Sequence, residues 1–168
     1  DLPPRLNLLI SGGDVLRASY VDDLVKHYAV YNTYGPSETT VCASYFRCDG
    51  TEPLPDGTYP IGKAVQGASI VLLDGDGHRV KPGDAGEICI SGGGVSAGYV
   101  GNRPAEQRAF EPRSDGSVLY HSGDMAYELT DGNLAFLHRK DKQIMIWGKR
   151  VEPDVVESVL ARCPGVRQ

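Results

Sequence analysis

From residue 41 onward the sequence leaves little room for helix, because every apolar or β-branched run is short and is cut by Gly, Pro or Asp. The runs fall at 41–47, 69–73, 87–91, 118–121, 125–128 and 134–138, lengths that suit strands. Between them, Asp74-Gly75-Asp76-Gly77 and Thr130-Asp131-Gly132-Asn133 carry the Asp-Gly steps of tight hairpin turns. Residues 41–138 are therefore expected to be mostly antiparallel β, as an open sheet or a small barrel. Only 104–110 in this stretch suggests a helix.

The residues before this stretch are patterned differently. An apolar run at 6–10 precedes Gly12-Gly13, and 18–29 carry Tyr20, Val21, Leu24, Val25 and Tyr28 at helical spacing. With a further strand over 30–34, this reads as a β-α-β unit whose strand ends, at Gly12-Gly13 and Tyr34-Gly35, face one crevice. Ligands of open α/β sheets bind in such crevices. Near the other end, 143–147 reads as a strand. Glu152-Pro153-Asp154 then supplies acid and proline for the start of a helix through Val155, Val156, Val159 and Leu160. That helix is expected to end at Cys163-Pro164-Gly165, with Val166-Arg167-Gln168 opening another strand, so the chain is expected to stop inside a domain.

A formal charge of −5 without Lys/Arg runs argues against a nucleic-acid partner or an anionic membrane surface. No apolar run approaches the roughly 20 residues of a membrane helix. Asp1-Leu2-Pro3-Pro4-Arg5 lacks the basic-then-apolar order of a signal peptide, so a cytoplasmic location is expected. Cys42, Cys48, Cys89 and Cys163 show no C-x-x-C spacing, which favours reduced, packed thiols over disulfides or a cysteine metal site.

Two motifs mislead. Gly57-Thr58-Tyr59-Pro60-Ile61-Gly62-Lys63-Ala64 approaches a phosphate loop but lacks the final hydroxyl, the preceding strand and the following helix. Gly94-Val95-Ser96-Ala97-Gly98 matches the G-x-S-x-G of a nucleophile elbow, yet Tyr99, Val100, Gly101 and Pro104 do not begin a helix. Neither His121 nor His138 falls into a recognisable triad with Ser96, and His27 and His78 are read as surface or packing residues.

Asn32-Thr33-Tyr34-Gly35-Pro36-Ser37-Glu38 carries more chemistry. The Gly-Pro pair bends the chain so that backbone N–H groups can approach an anion. Ser37 can donate to a phosphate oxygen, Glu38 can hold Mg²⁺, and Tyr34 offers a flat face to a base.

These seven residues resemble the N-x-Y-G-P-[TS]-E motif of the adenylation domains of non-ribosomal peptide synthetases, members of the adenylate-forming superfamily. Further stretches follow that family in the same order. They are Gly12-Gly13-Asp14, 86–99, Tyr120-His121-Ser122-Gly123-Asp124, Asp131-Gly132-Asn133-Leu134, and 138–143 running on to Gly148-Lys149-Arg150-Val151-Glu152.

The resemblance implies an α/β fold with a β-rich subdomain. Residues 1–140 would be the end of a large N-terminal subdomain, a β-α-β unit plus small β-barrel, and 141–168 the start of a small α+β C-terminal one. It implies amino-acid activation: ATP and an amino acid give an aminoacyl-adenylate, which passes to the phosphopantetheine thiol of a peptidyl carrier protein. An acyl- or aryl-CoA ligase of the same superfamily, or a non-catalytic nucleotide-binding fragment, are the alternatives.

By the same matching, Gly12, Gly13 and Asp14 would border the adenine, with Asn32 hydrogen-bonding nearby and Tyr34 stacking. Ser37 would touch the α-phosphate, Glu38 would hold Mg²⁺, and Asp124 would accept both ribose hydroxyls. Phe136 would pack on the nucleotide, Arg139 would bind ribose or phosphate, and Asp141 would be the hinge. Ile10, Gly12, Thr33, Val41 and Cys42 would line an apolar substrate pocket, with plain strand-core packing as the competing reading of Val41 and Cys42.

The match is incomplete. Met145 and Trp147 stand where the family carries a lysine and an arginine. A lysine-bearing phosphate loop is expected before Asp1 and a catalytic lysine after Gln168, so residues 1–168 alone are expected to give no pyrophosphate exchange.

Overall fold

A computed structural model describes residues 5–101, 107–140, 144–146, 149–151, 153–160 and 162–163. Strand β1 (Leu8–Gly12) runs parallel to β2 (Ala29–Tyr34), with Gly12 opposite Thr33. A parallel pair needs a crossover. Here it consists of two 3-10 turns, Ala18–Tyr20 and Leu24–Lys26, where one helix over 18–29 was expected. Ser19, Tyr20, Val21, Asp22 and Asp23 are all weak helix formers, and Val21, at φ −133°, breaks the helical path. The apolar spacing still does its packing work: Val21 is buried with Leu16, Val30, Cys48 and Tyr59, and Leu24, Val25 and Tyr28 close over that cluster.

Strand β3 (Ser44–Arg47) pairs antiparallel with β2, and β4 (Lys63–Ala64) with β3, completing a four-stranded sheet. The strand expected from residue 41 begins only at Ser44. Thr40 and Val41 have φ of 61° and 70°, a left-handed backbone that cannot extend a ladder.

The second sheet is antiparallel throughout, in the order β5-β6-β8-β7 with β9 also on β8. Its strands are β5 (Ala68–Leu73), β6 (Gly86–Gly92), β7 (Phe110–Pro112), β8 (Val118–Glu128) and β9 (Leu134–Arg139). What read as two strands, 118–121 and 125–128, is one. Ser122-Gly123-Asp124 forms a bulge inside it rather than a turn between strands, because on β6 only Ile88 separates the partners of His121 and Met125. The two sheets join where Leu134 N donates to Gly62 O at 2.9 Å and Ile61 N to Leu134 O at 2.8 Å. Ala43, Ile61, Leu72, Ile88, Ile90, Ala126 and Leu134 form the core beneath that junction.

Four turns are tied by an aspartate that accepts a backbone N–H two residues on: Asp56 from Thr58, Asp74 from Asp76, Asp115 from Ser117 and Asp131 from Asn133. Hydrogen bonds from these turns, first from Thr58, His78, Ser117 and Asn133 respectively, hold the four carboxyls below their usual value of 3.8. A lowered native pKa contributes stability that is fully present above the unfolded value and lost as pH falls through the native one. Denaturant midpoints should therefore drop as pH goes from about 5 to below 3.8. Replacing all four aspartates with Asn should flatten that drop.

Strands β10 (Ile144–Ile146) and β11 (Lys149–Val151) form an antiparallel pair, and helix α1 (Pro153–Leu160) follows at the expected place. Asp141, Trp147 and residues 104–106 of the helix expected over 104–110 lie outside the described residues, and Phe110, its expected last residue, instead opens β7. Among those described, no helix is long and apolar enough to cross a membrane.

Candidate functional site

The bulge in β8 aims Asp124 at the end of β2. Ser122 Oγ donates to Ile88 O at 2.7 Å and accepts from Asp124 N at 3.1 Å, while Gly123 N donates to Glu87 Oε1 at 3.0 Å. Bulges beside functional sites commonly re-aim one side chain in this way. The carboxylate that results is only 6% exposed. Tyr34 OH donates to its Oδ2 at 2.7 Å, and Arg139 Nη1, directly across the β8–β9 ladder, donates to Oδ1 at 2.7 Å. Arg139 Nη2 adds a bond to Ser122 O at 3.2 Å.

Tyr34 therefore holds Asp124 through its hydroxyl. Its ring packs against the central core beside Phe136, and burial, followed by the charge of Asp124, pushes its phenol far above the usual range. Tyr34→Phe should cost about 2 kcal/mol, the worth of a hydrogen bond to a charged group. Urea unfolding of the two proteins measures it, and an unchanged midpoint would show that the hydroxyl carries no load.

Gly35 and Pro36 then turn the chain toward Ser37 and Glu38. Only glycine fits at 35, since a Cβ there would lie 2.6 Å from both Val41 O and Ala43 N. Ser37–Thr39 is a 3-10 turn in which Glu38 is 8% exposed. Tyr99 OH donates to Glu38 Oε1 at 2.5 Å, and Ser96 N donates to Glu38 O at 2.8 Å. The G-x-S-x-G segment thus serves as a brace for Glu38. Ser96 Oγ bonds within its own turn, to Gly98 O and N at 3.1 Å each.

Burial and the bond to Glu38 push the Tyr99 phenol up, so it is a stable donor. Sequence reasoning gave Tyr99 no role, although an aromatic directly after a glycine-rich turn was the available signal. Beyond Glu38, Thr40 Oγ1 donates to Gly94 O at 2.6 Å and fixes the left-handed pair Thr40-Val41.

The remaining predicted residues do not gather in one place. Gly12 ends β1 beside Thr33, whose hydroxyl donates to Ser11 O at 2.9 Å, and Gly13 and Asp14 bend away after it. Asn32, 2% exposed, spends its amide nitrogen on Tyr59 O at 3.3 Å and Pro60 O at 2.8 Å. Neither Val41 nor Cys42 is a core strand residue, since both are exposed, Val41 at 72%. A cleft of about 290 Å³ opens between Thr39–Ala43 and Gly93–Val95, and of the five proposed pocket residues it includes Cys42 alone. Ile10, 65% exposed, lies elsewhere on β1.

A model of AMP-binding enzymes matches residues 1–100, the part that holds both Gly12-Gly13-Asp14 and the Tyr34–Glu38 turn. The chain belongs to the AMP-binding enzyme family. It is 38% identical over 168 residues to tyrocidine synthase 2 of Brevibacillus parabrevis, covering 98% of this chain and 5% of that one. Among solved structures, holo-PA1221, an NRPS protein with adenylation and PCP domains, superposes at a TM-score of 0.86 with 31% identity, over 96% of this chain and 29% of that one. The Vibrio cholerae adenylation domain AlmE, solved with glycyl-adenosine-5'-phosphate, gives 0.81 and 29% over 95% of this chain and 31% of that one.

These likenesses bear out the expected resemblance to an adenylation domain and the β-rich α/β fold. This AMP-binding family member spans 5% of that synthase and about 30% of the solved chains.

Proposed function

We propose that this chain is the middle-to-late part of an amino-acid-activating adenylation domain, with residues 1–140 in its large subdomain and 141–168 beginning the small one. The observation that carries this is the joining of the two motifs: the turn that bears Glu38 also bears Tyr34, which grips Asp124. A buried carboxylate braced from both sides is a rigid acceptor for the two hydroxyls of a ribose. Gly13, where a Cβ would meet nothing within 4 Å, leaves backbone open to a flat base beside Asp14.

Ser37 and Glu38 would face the phosphates. The donors at this turn are hard oxygens, the set Mg²⁺ takes when it binds through one carboxylate plus substrate phosphates. Glu38 would hold the ion, which when bound neutralises phosphate charge. The substrate carboxylate oxygen attacks the α-phosphorus, and the bond to the leaving pyrophosphate breaks. This chain's part is to fix ribose and phosphates in line, an effect of positioning and electrostatics.

Arg139 supports the reading as the group that pairs with Asp124 and holds it aimed. Phe136, packed on the core beside Tyr34, and Asn32, locking β2 to residues 59–60, would shape the floor. Cys42 at the cleft is the pocket residue best placed for the acyl side chain, and Asp141 is retained as the proposed hinge. The AlmE ligand supports an aminoacyl-adenylate as product, and the adenylation–PCP pairing in PA1221 supports a carrier protein as acceptor.

Calorimetric titration with ATP, with and without Mg²⁺, tests the assignment of Glu38. Mg²⁺ should tighten binding to the natural sequence by at least about tenfold, about 1.4 kcal/mol, and Glu38→Gln should lose that gain. Equal Mg²⁺ dependence in both proteins would remove Glu38 from the metal site.

A further inference from the structure

Strands β6, β7 and β8 gather a second group of side chains on the sheet face opposite Ile88 and Ile90. Cys89 and His121 are direct cross-strand partners, and Glu87 shares the Cys89 face two residues earlier on β6. Cys89 Sγ lies 3.4 Å from His121 Nδ1, which lies 3.7 Å from Glu87 Oε2. The ligand atoms of all three residues fall within 4.8 Å of one another. On the far side of the ring, His121 Nε2 is 2.9 Å from Glu111 Oε2 on β7. We infer that Glu87, Cys89 and His121 form a binding site for a divalent cation of the zinc class, with Glu111 orienting the imidazole.

The donor set decides the class. One thiolate, one imidazole and one carboxylate suit Zn²⁺, while Mg²⁺ and Ca²⁺ prefer oxygen alone. Tetrahedral bonds of about 2.3 Å to sulfur and about 2.0 Å to nitrogen put S and N roughly 3.5 Å apart, close to the 3.4 Å present before any adjustment. Metal-bound histidines almost always donate their other N–H to a carboxylate or carbonyl, and Glu111 stands ready for this.

The carboxylates of Glu87 and Glu111 flank the imidazole on its two sides. Their negative field attracts a dication, and the thiol would release its proton on binding one. Lys140 Nζ, 3.6 Å from Glu87 Oε2, partly fills the cationic role, but its side chain is 60% exposed and free to swing into solvent.

A thiol, imidazole and carboxylate in line also describe a nucleophilic relay. Cys89 is fully buried, which excludes an attacked substrate, whereas the side chains of His121 and Glu87 remain 27% and 13% exposed. Chain spacing hides the site, since its ligands meet across strands with no C-x-x-C signature. Because Glu87 Oε1 also accepts from Gly123 N, an ion here would brace the bulge that presents Asp124.

Titration of the purified, reduced chain with Co²⁺ tests this. One equivalent should produce a thiolate-to-cobalt charge-transfer band in the near ultraviolet and tetrahedral visible bands, both bleached by Zn²⁺. Cys89→Ser should lose the charge-transfer band, whereas a Cys42→Ser/Cys163→Ser double variant, altered only at the exposed thiols, should keep it. Glu111→Gln, a change at the solvent edge that leaves the sulfur in place, should weaken Co²⁺ binding about 10–100-fold. If Cys89→Ser does not fold, Glu111→Gln still reads the site. No band in the natural sequence, a band that survives Cys89→Ser, or one lost in the double variant would overturn the inference. ATP titration of the same samples is read separately, so a failure here leaves the nucleotide site standing, and the reverse.

Discussion

Asp124→Ala should reduce affinity for ATP, or for a non-hydrolysable aminoacyl-sulfamoyl-adenosine, by at least about 100-fold. Hydrogen bonds to a charged group contribute about 1.5–3 kcal/mol each, and a ribose diol makes two, so losing both exceeds the roughly 2.8 kcal/mol of a hundredfold change. The substitution also strips Tyr34 and Arg139 of their shared partner. Asp124→Asn is the sharper probe, since it keeps the shape and one acceptor oxygen. It should cost roughly tenfold to 150-fold, which is the loss of one such bond. Isothermal calorimetry on protein shown to be folded by near-ultraviolet circular dichroism measures both, and an Asp124→Asn protein binding as tightly as the natural one would remove the ribose role.

Gly62→Ala should be among the most destabilising single substitutions in the chain. Gly62 has φ +82°, and a Cβ there would sit 1.7 Å from Tyr45 O and 2.2 Å from Tyr45 C, both backbone atoms of β3. Neither can move without opening the junction at which Gly62 and Leu134 tie the two sheets. The loss should exceed about 3 kcal/mol, lowering the melting temperature by about 6–12 °C in a chain of this size.

Gly57→Ala is the control. Its φ of +78° is equally left-handed, but a Cβ would meet nothing within 4 Å. It should cost only the about 1–2 kcal/mol of the backbone conformation. Equal melting points for the two variants would show that the sheet junction tolerates more than its geometry suggests.

Much of this fold was legible in the sequence because it is local. Asp-Gly steps at 74–77 and 130–133 set the turns, and the short apolar runs at 87–91 and 134–138 mark β6 and β9. The failures share a cause, which is backbone geometry that composition does not reveal. Val41 reads as a strand residue by type but sits at φ 70°, held by the Thr40–Gly94 bond from a loop far along the chain. Ser122-Gly123-Asp124 carries every mark of a turn. It becomes a bulge because Ile88 O and Glu87 Oε1 on β6 satisfy its hydroxyl and its N–H in place of a reversing strand.

The site was legible as residue types and less so as contacts. Tyr34, Glu38, Asp124 and Arg139 could be named from motif order. The bond between Tyr34 and Asp124 spans 90 positions, so the hydroxyl contact of a tyrosine expected to offer its face is not visible in the motif. Tyr99 went unassigned for the same reason, since its link to Glu38 crosses from one sheet's edge loop to the turn after β2.

The central claim is that the 32–38 turn, the β8 bulge and β9 close around one nucleotide. A crystal structure of the chain soaked with aminoacyl-sulfamoyl-adenosine tests it most directly. The account predicts ribose oxygens within hydrogen-bond distance of the Asp124 carboxylate, the base beside Gly13-Asp14 and the sulfamoyl group at Ser37. A ligand seated away from Asp124, for instance wholly within the 290 Å³ cleft between Thr39–Ala43 and Gly93–Val95, would contradict it.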